Sequence, residues 1–223
     1  MTKSTPTPFP IGAENSTYTR SRFSGTTLED RTGSGRTGTI SGATWTAQGK
    51  FGSALSFDGV NDWVTVADAN SLDLTTAMTL EAWVYPTASG GGSWRTVLMK
   101  ERPSGEVYNL YANADTNVPV VYVVRSAQPG QPQDARGTAA LPLNTWSHLA
   151  VTFDNTTLRL FVNGTQVGTR AVAGPMLTST GALRMGGNSL WGEYFQGRID
   201  DVRIYNRALS AAEIQADSAT PIP

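Results

Sequence analysis

The sequence contains no cysteine and a single histidine among its 223 residues. The lack of cysteine excludes disulfides, cysteine-ligated zinc, iron–sulfur clusters and thiol nucleophiles. The single histidine excludes sites that need two imidazoles and leaves His148 as the one candidate for a histidine base. No run of residues approaches the roughly 18 apolar residues of a membrane span, so we expect no membrane insertion.

Neither sign of charge dominates the chain. The 17 basic and 18 acidic residues nearly cancel. Binding to nucleic acid or to an anionic membrane surface depends on a basic excess, so neither is expected as the main partner.

Both ends of the sequence are rich in proline and threonine. Residues 1–12, which begin MTKSTPTPFP, lack the apolar stretch of a signal peptide, and residues 218–223 have a similar composition. Such segments cannot bury a core, so we expect them to be linkers that flank one domain of residues 13–217. This organisation is typical of one module of a larger multidomain protein, and we expect that protein to be extracellular, either secreted or at the cell surface.

Short runs of alternating apolar and polar residues predict half-buried strands. In residues 78–85, Met78, Leu80, Ala82 and Val84 would lie on one face of a strand. Similar runs recur every 8 to 15 residues with Gly, Asn or Asp between them. This spacing favours an antiparallel β-sandwich over alternating strands and helices.

Three local patterns refine this prediction. The Asn-Gly pair at 163–164 predicts a type I′ hairpin. In residues 199–204 the two isoleucines differ in parity, and a β-bulge at 200–201 would bring both of them to the core. The Ser-Ala-Ala-Glu sequence at 210–213 forms a capping box, which predicts a short C-terminal helix.

Five sequence blocks resemble a known family. Residues 49–66, GKFGSALSFDGVNDWVTV, are similar to the GKFGxALxFDGxxDYV signature of bacterial laminin-G-like domains of the concanavalin A-like lectin/glucanase type. The likeness continues in LEAWVYP (80–86), WSHLAVTFD (146–154), LFVNG (160–164) and GRIDDVRIYNRALS (197–210), in the order of the family. The resemblance implies an all-β fold: an antiparallel β-sandwich, or jelly roll, with one short C-terminal helix.

The same resemblance implies a structural calcium ion. Residues 28–35, LEDRTGSG, are similar to the family loop ADSSGNG, whose aspartate and carbonyl oxygens bind Ca²⁺ together with an aspartate of the last strand. Calcium prefers about six to eight oxygen ligands in a flexible arrangement. The candidate ligands are Asp30, Ser34, Asp200 and Asp201, with Ser34 contributing its carbonyl. Alternatively, Asp30 would only close an Asx-turn, with its charge compensated by neighbouring arginines.

A carbohydrate site is the second implication. Sugars pack their C–H groups on aromatic rings, while amides, carboxylates and guanidinium groups bind their hydroxyls. The candidate ligand-binding residues, on the concave face or rim of the sandwich, are Trp191, Tyr194, Asn188, Arg125, Tyr111 and Trp94. Alternatively, the loop aromatics would cap the ends of the sandwich, as Trp83 and Trp146 are expected to pack within the scaffold.

The sequence carries no catalytic pattern of this fold. The Glu-x-Asp-x-x-Glu strand of its glycan-cleaving relatives has no counterpart, since Glu81 is followed by no second acid, and His148 lacks the glutamine of the lyase pattern. We therefore predict no enzyme and no catalytic residue. The sequence predicts a non-catalytic extracellular carbohydrate-binding or adhesion module with structural calcium and a glycan or cell-surface ligand. The alternative is a structural or protein-binding spacer with no glycan ligand.

Overall fold

The computed structural model describes residues 14–18, 25–89 and 91–222. The predicted linker of residues 1–12 lies outside these ranges. A 3₁₀ helix spans Asn70–Leu72, and an α-helix, α1, spans Ala211–Ala219. In chain order, the strands are β1 (Glu14–Tyr18), β2 (Thr27–Leu28), β3 (Gly38–Ser41), β4 (Thr44–Gly49), β5 (Gly52–Asp58), β6 (Trp63–Val66), β7 (Met78–Pro86), β8 (Arg95–Arg102), β9 (Gly105–Asn113), β10 (Val120–Val123), β11 (Gln133–Arg136), β12 (Ser147–Phe153), β13 (Thr157–Val162), β14 (Thr165–Ala171), β15 (Leu183–Met185) and β16 (Gln196–Tyr205).

These strands form two antiparallel sheets. In the first sheet the order is β14-β13-β12-β7-β16-β5-β4, and β1 also pairs with β16. In the second sheet the order is β11-β10-β9-β8-β15-β6-β3-β2. The predicted all-β antiparallel sandwich with a short C-terminal helix is thereby confirmed.

Strand alternation builds the core between the two sheets. On β7, the side chains of Met78, Leu80, Ala82 and Val84 are buried in the core, as the alternation predicts, whereas Trp83 lies on the opposite face. The second sheet supplies the facing half of the core, including Val64, Leu98, Tyr108 and Leu110. Full burial of a large apolar side chain contributes roughly 1.5–3 kcal/mol, so this layer fixes which face of each strand points outward.

The predicted turn and helix signals are also confirmed. Asn163 and Gly164 adopt positive φ values of 50° and 75° between β13 and β14, as a type I′ hairpin requires. Ser210 caps α1 by accepting a hydrogen bond from the backbone N–H of Glu213, whose side chain accepts one from the backbone of Ser210. The helix continues to Ala219, two residues past the predicted domain end at 217. Within the described part of the chain, no helix is long and apolar enough to cross a membrane.

The predicted bulge lies in β16. The register against β7 shifts between Asp200 and Arg203, and Asp201 has a φ of 43°. As a result both Ile199 and Ile204 reach the core despite their different parity.

Candidate functional site

An open pocket of about 310 Å³ lies on the face of the second sheet that points away from the core. Its walls come from β9, β10 and the loops before β8, before β11 and between β15 and β16. The residues that line this aromatic pocket are Trp94, Glu106, Tyr111, Tyr122, Pro132, Trp191 and Glu193. The volume and the mainly aromatic lining, with a few polar groups, are typical of small-molecule sites.

The floor of the aromatic pocket is set by strand alternation. On β9, Leu110 and Ala112 point into the core, so Tyr111 between them points outward. The ring of Trp94 packs edge-on against Tyr111, with centroids 4.9 Å apart, and lies 5.8 Å from the ring of Tyr122 on β10. Aromatic contacts of this kind hold the rings in fixed orientations.

A β-bulge brings Glu106 to the pocket. On β8 Lys100 pairs with Tyr108, and the next residue, Glu101, pairs with Glu106, so Val107 is the extra residue on β9. Val107 and Tyr108 are adjacent and both pack in the core, so the alternation changes phase between them. Bulges often redirect side chains next to functional sites. Here the bulge turns the carboxylate of Glu106 to the outer face.

The loop between β15 and β16 forms the opposite wall, and Asn188 holds it in place. The Asn188 side chain is fully buried, and its Nδ2 donates to Thr96 Oγ1 at 2.9 Å and to Glu193 Oε2 at 2.8 Å. Its Oδ1 accepts hydrogen bonds from the backbone N–H groups of Leu190 and Trp191. Because this turn is fixed from beneath, Trp191 stays on the outside with 52% of its surface exposed.

Glu101 provides a second anchor for the same loop. Its carboxylate accepts hydrogen bonds from the backbone N–H and the hydroxyl of Ser189, at 2.7 and 2.9 Å. Arg184 on β15 donates to the other oxygen at 3.2 Å. The charge of Glu101 is therefore used inside the protein to hold the loop against β8.

The two carboxylates of the pocket, Glu106 and Glu193, differ from Glu101 in their partners. The Tyr111 hydroxyl donates to Glu193 Oε2 at 2.6 Å, but among the described residues no ion pair involves Glu193 or Glu106. Burial raises the pKa of Glu193, with hydrogen bonds from Tyr111 and Asn188 lowering it in part. Burial also raises the pKa of Glu106, against smaller lowering by a hydrogen bond from its own backbone N–H and by the charge of Arg102. Both acids are therefore harder to ionise than in water.

The pKa of Tyr111, which donates to Glu193, is raised as well. Burial, together with the adjacent carboxylate of Glu193, holds the pKa of Tyr111 well above its usual value. Tyr111 is therefore a permanent hydrogen-bond donor to Glu193 at neutral pH. The pocket thus combines neutral aromatic walls with two acidic groups.

Comparison with known proteins identifies the family. The family model described as the concanavalin A-like lectin/glucanases superfamily matches residues 58–215. The chain belongs to this superfamily. This confirms the resemblance noted in the sequence, and the matched segment contains every lining residue of the aromatic pocket.

The chain is similar to parts of several known proteins. Pappalysin-1 from Mus musculus is 28% identical over 118 residues, which is 51% of this chain but 6% of pappalysin-1. Domain 4 of AbnA, a GH43 extracellular arabinanase from Geobacillus stearothermophilus solved in complex with arabinotriose, has a TM-score of 0.72 at 22% identity, over 84% of this chain and 91% of that one. The binding domain of Paraclostridial Mosquitocidal Protein 1 has a TM-score of 0.72 at 15% identity, over 91% of this chain and 51% of that one. At these identities the structural likeness establishes the fold.

The predicted ligand-binding residues divide into three groups. Trp94, Tyr111 and Trp191 line the aromatic pocket. Asn188 lies beneath the pocket and positions its wall. Tyr194 packs against Trp63, with ring centroids 5.8 Å apart, and does not line the pocket. Arg125 lies away from it as well, because its guanidinium donates to the carbonyl of Ala173 and to Gln128.

Sequence reasoning missed four lining residues: Glu106, Tyr122, Pro132 and Glu193. Two of these residues could have been predicted from local patterns. Tyr122 alternates with core valines in a predicted strand, and Glu193 is two residues from Trp191. No local pattern predicts Glu106, because its outward direction depends on the bulge at Val107. The catalytic pattern considered in the sequence requires two acids on one strand. It could not identify Glu106 and Glu193, because one lies on β9 and the other on the loop between β15 and β16.

The predicted calcium ligands occupy two local arrangements. Asp30 Oδ1 accepts from the backbone N–H and the hydroxyl of Thr32, whose oxygen lies 2.7 Å from Ser34 Oγ, so oxygen atoms are concentrated in one turn. Arg36 donates to the other Asp30 oxygen at 3.2 Å. This turn suits a hard cation, but at Asp30 a guanidinium already supplies positive charge.

The aspartates of β16 are bound to backbone groups. Asp200 accepts from the backbone N–H of Phe51 at 3.0 Å, and Asp201 accepts from that of Ile222 at 3.1 Å. Among the described residues, no group of three or more His, Cys, Asp or Glu side chains is placed to hold a metal ion. A calcium site would therefore need carbonyl and hydroxyl oxygens as well, and it remains a prediction.

Proposed function

We propose that this chain is a non-catalytic binding module that recognises a glycan in the aromatic pocket, as part of a larger extracellular protein. The proposal rests on the pocket itself, which combines four aromatic rings with two carboxylates. Sugars bury their C–H faces on such rings, and carboxylate oxygens accept hydrogen bonds from their hydroxyls.

Two further observations support a glycan ligand. Trp191 exposes 52% of its surface at the mouth of the pocket, on a loop that Asn188 and Glu101 hold rigid, so little ordering is needed when a ligand packs on it. The AbnA domain with a similar fold was solved with arabinotriose, and a second similar structure is a toxin binding domain. A spacer without a ligand would need neither the exposed tryptophan nor the open pocket.

The test is a glycan array followed by calorimetric titration of the best oligosaccharide. We expect saturable binding that Trp191→Ala weakens at least tenfold, because an aromatic platform is lost. Val60→Ala is the matched control, since Val60 is also an exposed apolar residue, with 66% of its surface accessible, but does not line the pocket. Absence of binding to every glycan would favour the spacer function and overturn the proposal.

The same incubations test the non-catalytic part of the proposal. Two carboxylates in one pocket are also the functional groups of glycoside hydrolases. We expect the oligosaccharide to be recovered intact after prolonged incubation with the protein. Shorter products that disappear in the Glu193→Gln variant would show that the module is an enzyme.

We also propose that a calcium ion stabilises the turn at Asp30 and Ser34. Chelation with EDTA is then expected to lower the melting midpoint of the protein, and Asp30→Asn to remove that effect. Glu29→Gln is the control, since it changes a neighbouring exposed acid. An unchanged midpoint on chelation would contradict the calcium proposal and would indicate that Arg36 compensates the charge of Asp30.

A further inference from the structure

We infer that the glycan recognised in the aromatic pocket carries a positive charge, as an amino sugar with a free ammonium group. This inference rests on the proposed function and specifies its ligand class. It follows from the two carboxylates, whose partners inside the protein are incomplete.

Glu106 is the first of these carboxylates. It is 8% exposed, yet it lines the pocket. Among the described residues, no hydrogen bond or ion pair from another residue reaches its side-chain oxygens. The nearest cation, Arg102, directs its donors to the backbone carbonyls of Glu106 and Pro129. Its own backbone N–H supplies one hydrogen bond, but a buried carboxylate with no donor or cation from another residue is unfavourable unless a ligand supplies one.

Glu193 is the second carboxylate, and its hydrogen bonds are neutral. Tyr111 and Asn188 donate to Oε2, and no cation pairs with it in the part of the chain that the structure describes. A neutral donor stabilises a carboxylate less than a charged one does. The negative charge of Glu193 therefore remains available to the pocket.

The positive charge of Arg136, which contacts a lining residue of the pocket, is neutralised by two aspartates. Arg136 donates to the Tyr122 hydroxyl from behind the pocket, but its charge is paired with Asp115 at 2.7 Å and with Asp134 at 2.6 Å. No lysine or arginine is among the described residues that line the pocket. The pocket consequently presents a net negative charge to a ligand.

The aromatic walls favour the same ligand class. The faces of tryptophan and tyrosine attract cations such as ammonium groups, most strongly when the cation is removed from water. Trp94, Tyr122 and Trp191 line the pocket together with Glu106 and Glu193. A free amine on a sugar ring could then contact an aromatic face and a carboxylate, while the ring itself packs on Trp191.

The test compares three tetrasaccharides of the same linkage: a glucosamine oligomer with free amines, its N-acetylated form and the glucose oligomer. Each is titrated calorimetrically into the full chain at neutral pH and low salt. We expect the free-amine oligomer to bind about tenfold more tightly than the other two, because one charge-assisted contact is worth roughly that factor. Added salt is expected to reduce this advantage but not the binding of the neutral oligomers.

Charge-neutral variants locate the effect. Glu106→Gln and Glu193→Gln together are expected to remove the tenfold advantage, because neither amide pairs with an ammonium group, whereas the loss of hydroxyl hydrogen bonds weakens the three oligomers alike. Glu29→Gln removes the same charge from an exposed side chain outside the pocket and is expected to keep the advantage. Melting curves of all variants verify that the comparison is made on folded protein.

The outcomes separate the two proposals. Equal affinity of the three oligomers would overturn the amino-sugar inference and leave glycan binding intact. An advantage that persists in the double Gln variant would also overturn it. Failure of every oligomer here and of every glycan on the array would overturn the proposed function itself.

Discussion

The outer faces of the two sheets bury similar residues and use them differently. On the first sheet, Trp83 packs against His148, with ring centroids 5.2 Å apart, and Lys50 lies over the Trp83 ring. On the second sheet, Trp94, Tyr111 and Tyr122 form a comparable cluster. The first cluster is part of a covered surface, whereas the second forms the wall of an open pocket of about 310 Å³.

The charges show the same contrast. On the first sheet Arg203 pairs with Asp217 of α1 at 3.1 Å and lies 3.9 Å from Asp201. On the second sheet Glu106 and Glu193 have no such counter-ion among the described residues. Removing one partner of a buried pair destabilises a fold because the other charge is left uncompensated, whereas unpaired charges at an open pocket are available to a ligand.

The largest effect is expected from removing a paired charge. Arg203→Met removes the cation that pairs with Asp217 and lies 3.9 Å from Asp201, and it is expected to lower the free energy of unfolding by about 4 kcal/mol, measured by urea denaturation. The control Arg170→Met removes an arginine whose side chain is 45% exposed and pairs with Asp134. It is expected to cost less than about 1 kcal/mol. Similar losses for both variants would contradict the structural role of the Arg203 pairs.

A second effect depends on pH and on His148. Burial, with Arg203 and Lys50 nearby, lowers the pKa of His148 from 6.5 to about 4. The unfolded chain therefore binds a proton at a higher pH than the folded protein, so stability is lost as the pH falls from 6.5 towards 4. The loss is expected to reach roughly 3 kcal/mol.

His148→Gln isolates that contribution. Urea denaturation of both proteins across the same pH range is expected to show a flatter dependence for the variant, because no imidazole titrates. The oligosaccharide affinity at neutral pH is expected to stay unchanged, since His148 lies on the first sheet. Identical pH slopes would contradict a neutral, buried His148.

A smaller effect of opposite sign is expected at Glu106. Since burial raises its pKa, stability decreases as the pH rises through the range in which the unfolded carboxyl ionises first. Glu106→Gln is therefore expected to stabilise the protein at neutral pH by roughly 1 kcal/mol, with no gain at pH 4. The same variant is expected to weaken ligand binding. A loss of stability at neutral pH would instead show that Glu106 has a structural partner.

The smallest effect on stability is expected at Trp191. Because it is 52% exposed, Trp191→Ala is expected to change the free energy of unfolding by less than about 0.5 kcal/mol. Ligand binding is nevertheless expected to fall at least tenfold. A large loss of stability would show that Trp191 is a packing residue of the sandwich end.

Most of the fold could be predicted because its signals are local. Alternation in β7, the Asn-Gly turn at 163–164 and the Ser210 capping box each depend on a few consecutive residues. The bulge in β16 was also predictable, since two isoleucines of different parity both needed burial. Patterns of this kind are sufficient to specify strands, turns and a helix cap.

The pocket was predicted only in part because it depends on long-range contacts. Trp94 and Trp191 were predicted from their residue type and loop position, and Tyr111 from its residue type and its position on a central strand. Glu106 faces outward only because Val107 is an extra residue against β8, and no local pattern reveals that register. Asn188 was predicted to contact the ligand, but its complete burial makes it the support of the loop.

The most direct test of the account follows the indole N–H signals by NMR during titration with the free-amine tetrasaccharide. The chain has six tryptophans, distributed over both sheets, and each gives its own signal. We expect saturable shifts of the Trp94 and Trp191 signals, with those of Trp83 and Trp146 unchanged. Shifts confined to Trp83 and Trp146, or no shift at any indole, would contradict the assignment of the second sheet's outer face as the binding surface.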